Sequence, residues 1–317
     1  RELILFDIVI SFCYNFPLMS PEVIWLTQAK EHYKKSQPDS PVRVETNFGR
    51  ANQSIKVLQE KILPLNHKPN ILIVGVGNKG GDNNPLVCSY SPFVMSAFLE
   101  AQGVDFRMSL VDIADTVISD VKTRENLYLT SEYIHEFSGS EEDWRNYLNW
   151  TKQTERILHE GEEGLVFGYT DSLFPPEFYL KQGIHAAEVP QGFKEKRKKG
   201  EIILIEDDIA VADLGVNRYD FVELTNVLYH LPTEGQMLAI ANIAGSLNEG
   251  GLVLVNDIGE LAGIPLFAQV GGWLNEEMLS QVYLVVDEIT IHEEEVEQPR
   301  SSYKANIVWA TLRKMAA

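Results

Sequence analysis

The chain is poor in cysteine and in long apolar runs, and each shortage excludes a class of protein. Its 317 residues include two cysteines, Cys13 and Cys88, which cannot form the disulfide framework of a small secreted domain. A reducing compartment, the cytoplasm, is therefore expected. No stretch reaches the roughly 18 consecutive apolar residues that a membrane-spanning helix needs. The apolar start at 3–16 is interrupted by Asp7 and lacks a basic leader, which argues against a secretory signal.

Basic residues are also scarce relative to acidic ones. The sequence has 27 Lys and Arg against 46 Asp and Glu, with a formal net charge of −19. Proteins that bind nucleic acids concentrate Lys and Arg, so we expect no nucleic-acid partner. The one basic cluster, at 194–199, is interpreted as a solvated loop that precedes a strand.

The most informative pattern that is present lies at 70–112. An apolar run at 71–74 breaks into glycines at Gly75, Gly77, Gly80 and Gly81, and a second apolar run ends on Asp112. This order predicts a buried parallel strand, a tight turn where the backbone approaches a ligand, and a second strand that ends in a carboxylate. A carboxylate at that position typically holds the two hydroxyls of a ribose. The pattern therefore predicts a cofactor that contains adenosine.

The remaining elements alternate between helix and strand. We predict a helical lead at 1–45, which ends in a linker at 38–41, and one cofactor-binding domain at 46–317. Its predicted elements are, in order, a helix at 46–65, a strand at 71–75, a helix at 92–101, strands at 106–112, 202–205 and 219–224, a helix at 233–247, a strand at 252–256, and β-rich segments at 281–291 and 303–312 joined by an acidic loop at 293–300. This is an α/β fold with a doubly wound, mostly parallel seven-stranded sheet and an antiparallel edge hairpin. The aromatic segment at about 127–200 is interpreted as a mostly helical insertion that covers the cofactor end of the sheet.

Two cofactors compete for the glycine segment. Gly75, Gly77 and Gly80 match the dinucleotide fingerprint, but Asp112 follows Gly80 by 32 residues, whereas about 20 are typical. The run at 82–85 also separates the glycines from the helix that would bind a pyrophosphate. The long loop favours S-adenosylmethionine, which has no phosphate. A nicotinamide oxidoreductase remains the alternative.

A longer series of motifs then resembles a known family. Thr46-x-Phe48-x-Arg50, Ile62-Leu63-Pro64, the glycine loop, Val111-Asp112-Ile113, Asn226-Val227-Leu228 and Leu247-x-x-Gly250-Gly251 occur in one order. The series resembles the chemotaxis-receptor methyltransferases, the CheR family of class I S-adenosylmethionine-dependent enzymes, which esterify glutamate side chains. The resemblance covers roughly residues 45–257. It implies a class I methyltransferase fold, S-adenosyl-L-methionine as cofactor and S-adenosyl-L-homocysteine as product.

The resemblance also implies roles for single residues. Thr46 and Arg50 would approach the methionine end of the cofactor, Gly75 and Gly77 would line it, and Asp112, followed by Ile113, would hold the ribose. Asp208 and Ile209 stand where the family has Asn-Leu beside the adenine, and Asn226 stands in the family's Arg-Asn-Val-Leu-Ile-Tyr-Phe string. The sequence departs from the family at three positions, where Asp82 replaces the first Glu of Gly-Glu-Glu-Pro, Thr225 replaces the Arg, and His230 replaces a Tyr.

The predicted chemistry is transfer of a methyl group to an oxygen, a carboxylate included, or to a nitrogen of a small molecule or protein side chain. His230, which follows Tyr229 at the end of the fourth strand, is the candidate general base, because its ordinary pKa suits proton removal at neutral pH. Candidate substrate contacts are Asp171, Phe174, Glu177 and Tyr179. The His spacing indicates no metal site. A binding module that keeps the fold without turnover is the third hypothesis.

Overall fold

Seven strands form one sheet at the centre of the protein. The computed structural model describes residues 48–78, 87–130, 140–158, 184–225, 227–228, 231, 233–256, 260–261, 264–265, 276–298 and 301–316. The sheet strands are β1 (Asn70–Val74), β2 (Arg107–Asp112), β3 (Ile202–Glu206), β4 (Tyr219–Leu224), β5 (Leu247–Asn256), β6 (Leu284–Gln298) and β7 (Ser301–Lys314). Their order is β3-β2-β1-β4-β5-β7-β6. The first five run parallel, and β7 runs antiparallel to both β5 and β6, so the predicted fold class is confirmed.

Each central strand is buried on both faces because its alternate residues enter two separate cores. In β1, Ile71 and Ile73 join one hydrophobic cluster, whereas Leu72 and Val74 join the other. Successive side chains of a strand point to opposite faces of the sheet. An unbroken apolar run such as 71–74 is therefore the pattern expected of a parallel strand covered by helices on both sides.

The helices divide between these two faces. The described α-helices are α1 (Phe48–Val57), α2 (Ser91–Ala101), α3 (Asp115–Thr123), α4 (Ser140–Thr151), α5 (Gln191–Lys199), α6 (Thr233–Ser246) and α7 (Glu276–Gln281). Helices α1 to α5 contribute to the cluster that contains Ile71, and α6 and α7 contribute to the cluster that contains Leu72. Helix α1 continues into a π-helix at Leu58–Ile62 and a 3-10 turn at Leu63–Leu65, so the predicted helix at 46–65 is confirmed from residue 48 onward.

The edge hairpin is longer than the sequence predicts. Strand β6 continues to Gln298, and β7 begins at Ser301, so most of the predicted acidic loop at 293–300 is paired strand. Three consecutive glutamates at 293–295 hide this pairing, because they leave no apolar alternation to recognise. Charged residues on an edge strand also oppose pairing with another chain.

The segment at 127–200 contains more strand than the predicted helical insertion. Its described part holds α4, α5 and a three-stranded antiparallel sheet of Asn126–Thr130, Arg156–Leu158 and Ile184–Glu188. These strands have three to five residues each, which is too short for a clear periodic signal.

The described part of this segment packs beside the sheet. The ring centroids of Trp150 on α4 and Phe98 on α2 lie 5.5 Å apart, and Trp144 and Tyr147 are buried in the cluster that contains Ile71. Tyr147 donates a hydrogen bond to the main-chain oxygen of Glu188 over 2.6 Å, which joins α4 to the small sheet. The aromatic side chains of α4 therefore form core rather than a substrate pocket.

The basic cluster at 194–199 lies on α5, so its interpretation as a loop is wrong. Three of its side chains bind acidic partners: Lys194 pairs with Glu125 and Glu188, Lys196 with Asp105 and Glu201, and Arg197 with Glu125. These ion pairs give the cluster a structural role. Within the described residues, no helix is both long enough and apolar enough to cross a bilayer.

Candidate functional site

The register of the sheet brings three predicted site residues to one level. Val74 of β1 pairs with Val111 of β2 on one side and with Leu224 of β4 on the other. The next residue of each strand is therefore Gly75, Asp112 or Thr225. The chain passes from β1 to β2 and β3 on one side, and then returns to β4 on the other. The carboxyl ends at such a change of direction form the usual ligand crevice of a doubly wound sheet.

Gly75 occupies a position that only glycine fits. Its φ is +66°, in the left-handed region that other residues rarely adopt. A Cβ atom placed there would lie 2.3 Å from Cγ2 of Val227, which follows β4. The Gly75 N–H donates to the main-chain oxygen of Val111 over 2.9 Å, so the turn remains attached to β2 as it leaves β1.

The Asp112 carboxylate joins the glycine segment to the end of β2. Its Oδ2 accepts the N–H of Gly77 over 2.8 Å, and its Oδ1 accepts the N–H of Ala114 over 2.9 Å. The side chain is buried. These two main-chain contacts hold the carboxylate at the end of β2, beside the glycine segment. Ile113, which lies between Asp112 and Ala114, is half-buried.

The end of β3 lies beside the end of β2. The Asp207 N–H donates to the main-chain oxygen of Asp112 over 3.1 Å. Asp208 is buried, and its Oδ1 accepts the N–H of Ala210 over 2.9 Å. Burial raises the pKa of the Asp208 carboxyl, the Ala210 N–H lowers it, and the neighbouring Asp207 charge raises it, with a net rise. Ile209 is buried in the same cluster as Leu72.

Thr225 and Ser89 are buried beside the glycine segment, and their hydroxyls have no hydrogen-bond partner. Thr225 was predicted as a site residue, whereas Ser89 was missed. Ser89 reaches the site because the short strand Val87–Cys88 pairs with Gly77–Asn78, and the Ser89 N–H donates to the oxygen of Val76 over 2.6 Å. This pairing returns the chain to the glycine turn, which sequence spacing alone does not indicate.

A second missed group is the buried carboxylate of Glu223 on β4. Ser54 of α1 donates to its Oε2 over 2.5 Å, and the Ser91 hydroxyl of α2 lies 3.0 Å from Oε1 and 2.9 Å from Oε2. All six residues of β4 are buried. An acid inside a buried strand is rare unless it is hydrogen-bonded. Glu223, an acid between the apolar residues Val222 and Leu224, was therefore a sequence signal that could have indicated a buried, hydrogen-bonded carboxylate.

One further predicted site residue, Arg50, lies on α1, four residues before Ser54. The other predicted site residues lie outside the described part of the chain: Thr46, Asp82, Asn226, Tyr229, His230 and the substrate candidates Asp171, Phe174, Glu177 and Tyr179. Among the residues that the structure does describe, no group of three or more His, Cys, Asp or Glu side chains could hold a metal ion.

The geometry bears on the choice between the two cofactors. Helix α2 begins at Ser91, well beyond the last glycine at Gly81. A dinucleotide site places its pyrophosphate on a helix that starts directly at the glycine turn. The position of Asp112 suits the ribose of either cofactor, so the late start of α2 is the feature that favours a cofactor without phosphate. The arrangement can hold an adenosine across the ends of β1, β2 and β3.

Comparisons with known proteins give structural neighbours only. No protein-family model matches the chain, and no protein of curated function matches it significantly. The N-methyltransferase NodS of Bradyrhizobium japonicum WM9, solved with S-adenosyl-L-homocysteine, is 12% identical, with 90% of this chain and 97% of NodS covered and a TM-score of 0.40. The 1,6-didemethyltoxoflavin-N1-methyltransferase of Burkholderia thailandensis is 13% identical, with 95% and 93% covered and a TM-score of 0.41. The magnesium protoporphyrin IX methyltransferase of Synechocystis PCC 6803, solved with bound SAM, is 12% identical, with 91% and 92% covered and a TM-score of 0.38.

These neighbours are too distant to transfer a function. The fold assignment rests on the strand order of this chain, with five parallel strands and an antiparallel β7 between β5 and β6. That order defines the Rossmann-like fold of the class I methyltransferases.

We predict that Gly75→Ala destabilises the protein by about 3 kcal/mol, because it adds left-handed strain and a contact with the stiff side chain of Val227. Gly103→Ala is the matched control, since Gly103 has a φ of +67° and nothing within 4 Å of its Cβ position. Its expected cost is about 1 kcal/mol. Urea denaturation of both variants measures the difference.

The contact can be separated from the strain by a second substitution. In a Val227→Ala background, Gly75→Ala should cost no more than Gly103→Ala, because the Cγ2 methyl group is gone. Equal costs of Gly75→Ala with and without Val227 would show that the packing of 225–228 on the turn is not a constraint.

The raised pKa of Asp208 has a consequence for stability. The folded state binds the proton more tightly than the unfolded state, so the charged side chain lowers stability above the folded pKa, and this penalty disappears below the ordinary value of 3.8. We therefore expect Asp208→Asn to raise the midpoint of thermal unfolding at pH 7, with a gain that declines as the pH falls toward 3.8. Asp213→Asn is the control, because exposed Asp213 accepts the Gly215 N–H in the same kind of turn. A gain that is constant across pH would contradict the burial argument.

Proposed function

We propose that the protein is an S-adenosylmethionine-dependent methyltransferase. The observation that carries the proposal is the Asp112 carboxylate, which is buried at the end of β2 and bonded to the Gly77 N–H beside the left-handed Gly75. This arrangement brings an acid for ribose hydroxyls next to main chain that a ligand can approach closely. The class I methyltransferase strand order supports the same cofactor.

The described residues fit this cofactor. Asp112 places a carboxylate at the end of β2, where the ribose hydroxyls need an acceptor, and Asp208 and Ile209 follow β3, where an acceptor for the adenine amino group and an apolar surface for the ring are needed. Thr46, Arg50, Asp82, Ile113, Thr225 and Asn226 complete the proposed cofactor contacts. When bound, S-adenosyl-L-methionine supplies an activated methyl group on a sulfonium and leaves as S-adenosyl-L-homocysteine.

The contribution of the chain to the reaction is mainly positional. Methyl transfer by direct displacement requires the nucleophile, methyl carbon and sulfur to lie in line, and such alignment removes a large part of the entropic barrier. The buried ends of β1, β2 and β4 exclude water from one side of the crevice. We assign His230 as the group that removes a proton from the acceptor, with Tyr229 beside it.

The acceptor is proposed as an oxygen, a carboxylate included, or a nitrogen of a small molecule or protein side chain. The resemblance to the CheR family supports a carboxylate. The NodS and toxoflavin enzymes are named as N-methyltransferases, and the toxoflavin enzyme was solved with its small-molecule substrate. A net charge of −19 and the ion-paired lysines of α5 argue against a nucleic-acid acceptor. The low cysteine content supports a cytoplasmic location.

We predict that the purified protein binds S-adenosyl-L-homocysteine in calorimetry and that Asp112→Ala weakens this binding by about 10- to 100-fold, because charge-assisted hydrogen bonds to the ribose are lost. Asp112→Asn is measured alongside, since it keeps the side-chain shape if the Ala variant unfolds. Asp115→Ala is the control, because Asp115 is an exposed acid three residues away on α3.

The same titration distinguishes the alternatives. Binding of NAD without S-adenosyl-L-homocysteine would overturn the proposal in favour of an oxidoreductase. Binding of S-adenosyl-L-homocysteine by a protein that transfers no radiolabelled methyl group to any acceptor in a small-molecule and peptide screen would favour a non-catalytic binding module.

For His230, we predict that His230→Ala lowers kcat by about 10²- to 10⁴-fold and leaves the dissociation constant for S-adenosyl-L-homocysteine unchanged. His67→Ala, which removes a half-exposed imidazole beside Asp220, should leave both quantities unchanged. Full turnover of His230→Ala on the identified acceptor would remove His230 from the mechanism.

A further inference from the structure

Two buried hydroxyls beside the glycine turn have no hydrogen-bond partner. Ser89 Oγ and Thr225 Oγ1 belong to residues that are fully buried. Leaving a buried hydroxyl unsatisfied costs about 1–3 kcal/mol, and buried polar groups in folded proteins are almost always paired. Two such groups beside one turn indicate that something outside the chain completes them.

Both hydroxyls belong to segments that contact the turn directly. The Ser89 N–H is bonded to the oxygen of Val76, the residue after Gly75. Thr225 follows Leu224, which pairs with Val74, and Val227 packs against the Gly75 position. The two residues therefore approach the turn from the α2 side and from the β4 side.

A contact that is already formed shows how closely these two segments run. Ser91 lies two residues after Ser89, Glu223 lies two residues before Thr225, and the Ser91 hydroxyl is hydrogen-bonded to the Glu223 carboxylate. Alternate residues of a strand share one face, so Thr225 continues the face of β4 that presents Glu223 to α2. Ser89 and Thr225 thus lie one step beyond this contact, toward the carboxyl edge.

The carboxylate of Glu223 indicates which kind of ligand group could bind beside Ser89 and Thr225. A carboxylate lies one step below the two hydroxyls, and an anionic ligand group there would be repelled. A hydroxyl oxygen accepts hydrogen bonds as readily as it donates them, so both hydroxyls can accept from a cation. A primary ammonium carries a positive charge and three hydrogen-bond donors, so it can donate to both hydroxyls near this carboxylate.

We propose that Ser89 and Thr225 bind the α-ammonium of the amino-acid tail of S-adenosylmethionine. The assignment rests on the proposed function and adds Ser89, which lies outside the motifs in which the sequence resembles the CheR family. Recognition of the tail is then separate from recognition of the adenosine, which is assigned to Asp112 and Asp208. The free protein leaves both hydroxyls unsatisfied, and the bound cofactor satisfies them.

The experiment compares two ligands that differ in the tail. S-adenosyl-L-homocysteine carries the amino-acid tail, whereas 5′-methylthioadenosine keeps the adenosine and the sulfur but lacks the ammonium and the carboxylate. Calorimetric titration of both ligands into the wild-type protein, Ser89→Ala and Thr225→Val separates the two parts of the site. Each variant should weaken S-adenosyl-L-homocysteine by about tenfold and change 5′-methylthioadenosine by less than about twofold.

The thermal stability of the free protein gives an independent readout. Because neither hydroxyl has a partner in the free protein, its removal should leave the midpoint of unfolding unchanged or raise it, while the shift produced by S-adenosyl-L-homocysteine becomes smaller. Ser96→Ala is the matched control, a buried serine on α2 whose hydroxyl is bonded to Glu100. It should leave the ratio of the two affinities unchanged.

The possible failures are distinguishable. If the wild-type protein binds both ligands and the variants weaken them equally, or weaken neither, the hydroxyls do not contact the tail and this inference alone is wrong. If the wild-type protein binds neither ligand, the proposed function fails and the inference fails with it.

Discussion

The Asp112 carboxylate accepts hydrogen bonds from the N–H groups of Gly77 and Ala114, and the carboxyl edge of the sheet is organised around this pair of contacts. Its main-chain oxygen also accepts the N–H of Asp207, which attaches the end of β3 to the end of β2. One residue thus fixes the glycine segment, the start of α3 and the turn after β3 relative to one another. A ligand bound to this acid, as we propose for the cofactor, would therefore lie beside all three segments.

The two sides of the crevice place similar demands on the cofactor, because each carries buried carboxylates. On the β2 and β3 side, Asp112 and Asp208 offer acceptors, and the raised pKa of Asp208 shows that its charge is costly to bury. On the β4 side, the charge of Glu223 is satisfied by Ser54 and Ser91. Both sides favour a ligand that donates hydrogen bonds and carries positive charge. S-adenosylmethionine, with hydroxyls, an amino group, an ammonium and a sulfonium, meets this requirement better than a phosphate-bearing dinucleotide.

The sequence predicts the parts of this structure that depend on local patterns. The apolar run at 71–74 is diagnostic because both faces of β1 are buried, and Gly75 is recognisable because the turn needs its positive φ. The missed parts depend on tertiary contacts. Ser89 enters the site only because Val87–Cys88 folds back onto Gly77–Asn78, and Glu223 is satisfied by serines distant in sequence. The strands within 126–188 and the far end of the edge hairpin were missed because short or acidic strands carry no apolar alternation.

The unsatisfied hydroxyls of Ser89 and Thr225 and the buried carboxyl of Asp208 each lower the stability of the carboxyl edge of the sheet. Replacement of Ser89 or Thr225 by an apolar residue of similar shape would remove a desolvation penalty, and Asp208 carries a second penalty through its raised pKa. Groups that lower stability without an evident local compensation are characteristic of functional sites, because selection for binding opposes their removal. Ser89 and Thr225 lie beside the glycine turn and Asp208 follows β3, so these groups lie along the carboxyl edge of the sheet, where we propose that the cofactor binds.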